Sequence, residues 1–198
     1  MGRPRTAAHA VATSERLLQA AEDAFAEHGY DGARLEDIAK SAGIRRSSLL
    51  YHYGSKHALF CAVVRHVFAD LEQALEHSLS FDEPFPEQVE RVLEAFFDFV
   101  RRRPGVARLI LREILDDKGP GQSLLLDGGV PLLELVERFV EERGEGFVPP
   151  GLSVRAALLQ IVSGTFVKAS AGPLQATLWN GEDHQKELAR SLFLRRTG

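Results

Sequence analysis

The sequence predicts an all-α protein, with an N-terminal three-helix helix-turn-helix domain and a C-terminal helical bundle. Three observations carry the prediction. Apolar residues recur at three- and four-residue steps along successive stretches, as they do on helix faces. Glycine and proline separate those stretches, at Gly29, Gly43, Pro104-Gly105 and from Gly144 to Gly151. Between Leu35 and Lys56, two short apolar faces flank a glycine, the layout of two helices that cross steeply. A chain of 198 residues, 44% hydrophobic and 26% charged, is long enough for one good core or two small ones.

Residues 1–12 read as a disordered arm. Within it, Gly2-Arg3-Pro4-Arg5 is either a plain tail or a cationic segment suited to an A·T-rich minor groove. Thr13 or Ser14 caps the first helix, Glu15 favours its first turn, and Leu17, Ala21, Ala24, Phe25 and His28 share a face that ends at Gly29. Tyr30 then packs the connection. Leu35, Ile38, Ala39 and Ala42 make the second helix, with Glu36 and Asp37 in its first turn. Gly43 stops it, because glycine takes positive φ without steric cost, and Ile44 plugs the angle that follows. The third helix starts near Arg46 and turns Leu49, and with it Leu50, inward. Arg45, Arg46, Ser47, Ser48, Tyr51 and His52 are left outside.

That outer face is the informative part. From Ile38 through Ala69 there is no Asp or Glu, while the window holds Lys40, Arg45, Arg46, Lys56 and Arg65 in a protein of formal net charge −4. A cationic block inside an acidic protein points to a polyanion, and the helix-turn-helix layout points to the major groove of DNA; the bland alternative is a solvated basic face. Arg45, Arg46, Ser47 and Tyr51 are placed near base edges, and Arg34, Ser48, His52 and Lys56 near phosphates. Ser55 caps a long helix from Lys56 to about Ser80, whose first turn is a further place for a phosphate.

The run from Leu35 to Ile44, followed by Leu50-Tyr-His-Tyr-Gly-Ser-Lys56-His-Ala-Leu59-Phe and preceded by Arg16-Leu-Leu-Gln-Ala-Ala-Glu-Asp-Ala-Phe-Ala-Glu-His-Gly-Tyr30, resembles the DNA-binding domain of the TetR family of bacterial transcriptional regulators. Beyond residue 60 the likeness is one of length and helical layout. Two departures stand out. Arg34 replaces the usual Thr, so the hydroxyl cap and its phosphate contact are lost, although an arginine has the reach to meet a phosphate. Leu50 replaces a phosphate-binding Tyr, and Tyr51 beside it points about 100° away on the helix. Tyr53 stands for the usual Phe. The resemblance implies a homodimer on a palindromic operator, a repressor released when a small, largely apolar ligand binds, with residues 1–56 as the DNA-binding domain and 57–198 for effector binding and dimerisation.

The second part of the chain continues in helices. The long helix carries Val63, Val64, Val67, Phe68, Leu71 and Leu75. Val89, Val92, Leu93, Phe96, Phe97 and Val100 stripe a helix from about Pro86 to Arg103. Leu109, Ile110 and Ile114 stripe one from Val106 to Asp116. Leu132, Leu135, Val136, Phe139 and Val140 mark another from about Ser123 to Glu142, with Gly128-Gly129-Val130-Pro131 as a candidate interruption. Helices at about 153–171 and 182–196 are the candidate subunit contact, since the first is apolar nearly all round and the second shows Leu188, Ala189, Leu192 and Phe193 on one face; a monomeric core is the alternative. Phe68, Phe96, Phe97, Phe99, Leu109 and Phe139, with His66, His77, Arg108 or Arg112 as polar groups, are candidates to line a cavity for an apolar ligand with an anionic end. Each aromatic is equally a core side chain.

Other classes fare less well. No apolar run approaches the roughly 20 residues of a membrane span, and no apolar signal region opens the chain, so the expected compartment is the cytoplasm. The single cysteine, Cys61, excludes an internal disulfide and a cysteine-built metal site. No cofactor or metal is expected. A helical enzyme would need a constellation that is not visible: none of the seven histidines has Glu three residues before it, and no His-Glu-x-x-His, Walker or Gly-x-Ser-x-Gly pattern occurs. A DNA-binding or architectural protein without a ligand shares the recognition helix and stays open.

Overall fold

The computed structural model describes residues 4–79, 83–116, 119–180 and 184–194, with side chains from Thr13 onward. Ten helices and no strand occur among the described residues: α1 (Pro4–Gly32), α2 (Leu35–Ser41), α3 (Arg46–Tyr53), α4 (Lys56–Ser78), α5 (Phe85–Arg102), α6 (Pro104–Leu115), α7 (Gln122–Arg143), α8 (Val154–Ser170), α9 (Leu174–Leu178) and α10 (Gln185–Phe193).

The first correction is at the start. Residues 4–12, expected as a disordered arm, are the helical opening of α1. Proline is tolerated in a first turn, where its missing N–H has no partner to lose, and alanine at 7, 8, 10 and 12 is the best helix former. Residues 1–3 lie outside the described part. Gly29 does break the helix, at φ 73°, and α1 resumes for one short turn to Gly32.

The turn between α2 and α3 closes as the sequence predicts. The Ile44 N–H donates to the Ala39 carbonyl at 2.9 Å and the Gly43 N–H to that of Lys40 at 3.1 Å, with Gly43 at φ 71°. This is the paired closure of a helix end by a left-handed glycine. At α4, Ser55 Oγ accepts the Ala58 N–H at 3.0 Å, a side-chain cap at the expected residue.

Two cores form. Leu17, Phe25, Ile38, Leu49, Leu59 and Phe60 are at most 1% exposed and hold α1 to α4 together. Phe60 packs edge-on to Phe25 and Tyr30, with ring centroids 5.0 and 5.1 Å apart. The second core takes Val67, Leu71 and Leu75 from α4, then Val89, Val92 and Phe96 from α5, Ile110 from α6, and Phe139 from α7. Helix α4 therefore belongs to both cores, and so do its neighbours in part, since Leu109 of α6 and Leu124 of α7 sit in the first one.

Helix α7 runs unbroken through Gly128, Gly129 and Pro131. Pro131 merely leaves one carbonyl without its helical partner, and the glycines have a packing reason. A methyl group on Gly128 would overlap the root of the Phe68 side chain, and one on Gly129 would touch the far edge of that ring. Gly128→Ala is accordingly expected to lower stability by about 1–3 kcal/mol through overpacking, despite a gain of about 1 kcal/mol in helix propensity. Thermal unfolding checks it; an unchanged or raised midpoint would show that Phe68 moves aside freely.

Helix α10 is shorter than expected, and Leu188 is 59% exposed where the sequence places it on the inward face with Ala189 and Phe193. Arg190 and Lys186 both reach Glu90 of α5, which sets the rotation of the helix and turns Leu188 out. Short α9 has no counterpart in the sequence reading. No helix among the described residues is long and apolar enough to cross a membrane.

Candidate nucleic-acid interface and the cavity behind it

Helix α3 buries only Leu49, so seven of its eight positions are at least partly open. Arg45, the N-cap residue, and Arg46, Ser47, Ser48, Tyr51 and His52 are all exposed, Tyr51 at 88%. The Tyr51 and His52 rings meet edge-to-face at 5.7 Å. The Arg46 Nε lies 2.9 Å from Glu36 Oε1 of α2, both side chains more than half exposed. The outer face of α3 is thus cationic and free of structural duty, except that Arg46 has a carboxylate beside it. Arg34 caps α2 through its backbone alone and is exposed. Lys56 is more committed: its Nζ donates to the Asp31 carbonyl at 3.0 Å and lies 5.0 Å above the Tyr30 ring, tying the end of α1 to the start of α4.

Behind this face, α6 grips α1 at both ends. Arg103, at the α6 N-cap, pairs with Glu22 of α1 and, at 2.5 Å, with Asp70 of α4, and its guanidinium stacks on Phe99 at 5.2 Å. Burial would lower the guanidinium's pKa, but the hydrogen bonds and charges of Glu22 and Asp70 outweigh it and hold the group above its ordinary value. Near the other end, Arg112 Nη2 donates to the Glu27 carbonyl at 3.1 Å, close to where Gly29 bends the chain.

Between α4, α5, α6, α7 and α8 lies a cavity of about 460 Å³, within the roughly 300–1,000 Å³ typical of small-molecule sites. Its wall is almost wholly apolar, with Phe68, Leu71, Val92, Phe96, Ile110, Leu133 and Phe166 among its members. Ile114, Leu126 and Leu159, half-exposed, stand at its rim.

Residues 17–63 match the family model for bacterial regulatory proteins of the tetR family. Over that stretch the chain is similar to the tetR-family DNA-binding domain. It is 36% identical over 104 residues to the transcriptional repressor NicS of Pseudomonas putida, covering 52% of this chain and 49% of that one. It is 34% identical over 118 residues to the transcriptional regulator RutR of Escherichia coli K12, covering 59% and 52%. The chain thus spans about half the length of these curated relatives. A TetR-like regulator from Rhodococcus sp. RHA1 shares the fold over 91% of this chain and 92% of its own, with a TM-score of 0.68 at 22% identity.

The chain departs from the pattern it resembles at places that the structure explains. Leu50 turns onto the first core rather than outward, so nothing replaces the usual Tyr at that place, and Tyr51 projects elsewhere. Tyr53 keeps an aromatic ring in the core and adds a hydroxyl 3.4 Å from Ser14 Oγ.

The candidate ligand residues divide. Phe68 and Phe96 line the cavity. Phe97, Phe99, Phe139, Arg108 and Arg112 do not, which corrects the sequence expectation. Phe139 is buried against Phe85, with centroids 5.5 Å apart, and Phe99 carries Arg103. Arg108 is exposed and Arg112 serves α1, because on α6 they lie on the other sides from Ile110 and Glu113. His66 sits 3.4 Å from Asp70, and His77 is exposed. The polar groups that do line the cavity are Glu113 and Gln122. Glu113 had a signal in the sequence: it follows Val106 and Ile110 at helical spacing, a carboxylate on an apolar stripe.

Proposed function

We propose that this protein is a sequence-specific DNA-binding transcription regulator, dimeric on a palindromic operator and responsive to a small ligand in the α4–α8 cavity. The observation that carries the DNA reading is the outer face of α3, where arginine, serine and tyrosine stand exposed on a helix anchored to the first core by Leu49. The relatives' names include a repressor, NicS, and an activator, FasR of Mycolicibacterium smegmatis. Repression by occupation of the operator is the simpler mechanism, and it needs no further surface.

A two-fold dimer is supported by the exposed apolar groups Leu159 and Val167 on α8, Leu174 and Leu178 on α9 and Leu188 on α10, a set that a second copy would cover. Release by a ligand is supported by the walls of the cavity. Phe68, Leu71 and Leu75 belong to α4, and Ile110 belongs to α6, which grips α1. A ligand that favours a different spacing of these helices would move the two recognition helices away from the roughly 34–36 Å separation that successive major grooves require.

Selection of bound sites from a random duplex pool tests the reading. The expected result is an inverted repeat whose enrichment falls with salt; no enrichment at low salt would refute it. Lys56→Ala is expected to weaken binding to all sequences alike and to lower the slope of log affinity against log salt by about one. An unchanged slope with a lower melting temperature would mean that Lys56 stays on Asp31 and Tyr30 in the complex.

A further inference from the structure

The cavity that the proposed function assigns to an effector has one ionisable side chain in its wall, and that is an acid. Glu113 is 3% exposed, and its Oε2 has no hydrogen-bond partner among the described residues. The turn at Gly119 to Gly121 closes over the carboxyl so tightly that a side chain on Gly121 would overlap it, and one on Gly119 would come within 3.0 Å of both Glu113 Oε2 and Asp116 Oδ2. The Glu113 carboxyl therefore sits in the wall of an almost wholly apolar chamber, with exposed Asp116 close by but outside the lining. Among the described residues no arginine or lysine joins Glu113 in the wall: Arg112 is turned to the Glu27 carbonyl and Arg108 to solvent.

We propose that the cavity takes a lipophilic amine, its hydrocarbon against Phe68, Phe96 and Phe166 and its ammonium group paired with Glu113. This inference rests on the effector reading above. A buried carboxylate with the Gly121 N–H beside it but no counter-charge among the described residues is costly, so an empty cavity favours the protonated acid, whereas an ammonium supplies both the opposite charge and a further donor. A fatty acid in the same chamber would bring a second carboxyl beside Glu113. Burial drives the Glu113 pKa up, the charges of Asp116 and Asp31 raise it further, and the Gly121 N–H opposes them. The faces of α4 and α5 toward the cavity carry no charged group. Ammonium binding must then remove the proton as pH falls below the raised pKa, so amine affinity is full above that pKa and declines below it.

Calorimetric titration of the full chain with decylamine, decanol and decanoate provides the test. The amine is expected to bind roughly tenfold or more tightly than the alcohol, decanoate most weakly, and the advantage of the amine is expected to shrink on acidification. In Glu113→Gln, which keeps the shape and removes the buried acid, the amine is expected to lose its preference over the alcohol. Thermal unfolding of the variant confirms that it is folded. Decanoate binding as well as decylamine, or a preference for amine that survives Glu113→Gln, would overturn the inference while leaving the cavity as an effector site. Binding of none of the three would overturn the effector reading itself.

Discussion

Replacing Arg103 by methionine is expected to destabilise the protein by about 3–5 kcal/mol, the usual effect of removing one member of a buried ion pair. The loss comes from what is left behind. Glu22 is 3% exposed and would face Phe99 and the α6 start with no counter-charge. Asp70 suffers less, because it is 36% exposed and has His66 at 3.4 Å. The double variant Arg103→Met with Glu22→Leu removes both charges and is expected to recover most of the loss, since the pair against an apolar substitute comes close to even. Urea denaturation of the single and double variants decides the matter. Equal destabilisation in both would mean that Arg103 acts through packing on Phe99 and not through charge. Because the same guanidinium joins α1, α4 and α6, the double variant should also bind operator with a weaker response to any cavity ligand.

Arg46→Ala is expected to reduce operator affinity by about 1–3 kcal/mol, the range of a good bidentate contact to a base edge, and to relax sequence preference at one position of each half-site. The folded protein should scarcely notice, since the exposed pair with Glu36 is worth about 0–1 kcal/mol. On random DNA the loss should be smaller, because only the phosphate attraction of one charge is removed. A variant that loses affinity equally on operator and random duplexes would place Arg46 on the backbone instead. Glu36→Gln provides the complement, raising affinity for both kinds of DNA by removing a carboxylate next to the groove.

The helix-turn-helix was legible because each of its parts is a local signal. Gly43 needs a positive φ, Ser55 is a cap at its own helix, and the alternation of inward Leu49 with outward Arg45 and Arg46 follows from helical period alone. The cavity was less legible, for a physical reason. An apolar stripe states that Phe96, Phe97 and Phe139 lie on helices, but not which wall each one meets, and that depends on how α5, α6 and α7 rotate against one another. Contacts far apart in sequence decide those rotations, such as Phe85 of α5 against Phe139 of α7, and periodicity does not encode them. The same blindness misplaced Arg108 and Arg112, whose length suggested a ligand's anionic end, and passed over Glu113, whose charge on a buried stripe was the better clue. At residues 4–12, composition suggested an arm where alanine propensity prevails.

Most helix pairs resist sliding because the side chains of one sit in the hollows of the other. At Phe68 the hollow is made by absence: Gly128 and Gly129 leave bare backbone on α7 where the ring is seated, and a methyl group on Gly128 would overlap it. The seated ring is also a wall of the cavity. A molecule that presses on Phe68 therefore meets a side chain latched to α7, and its push enters both α7 and the helix that begins under the recognition element.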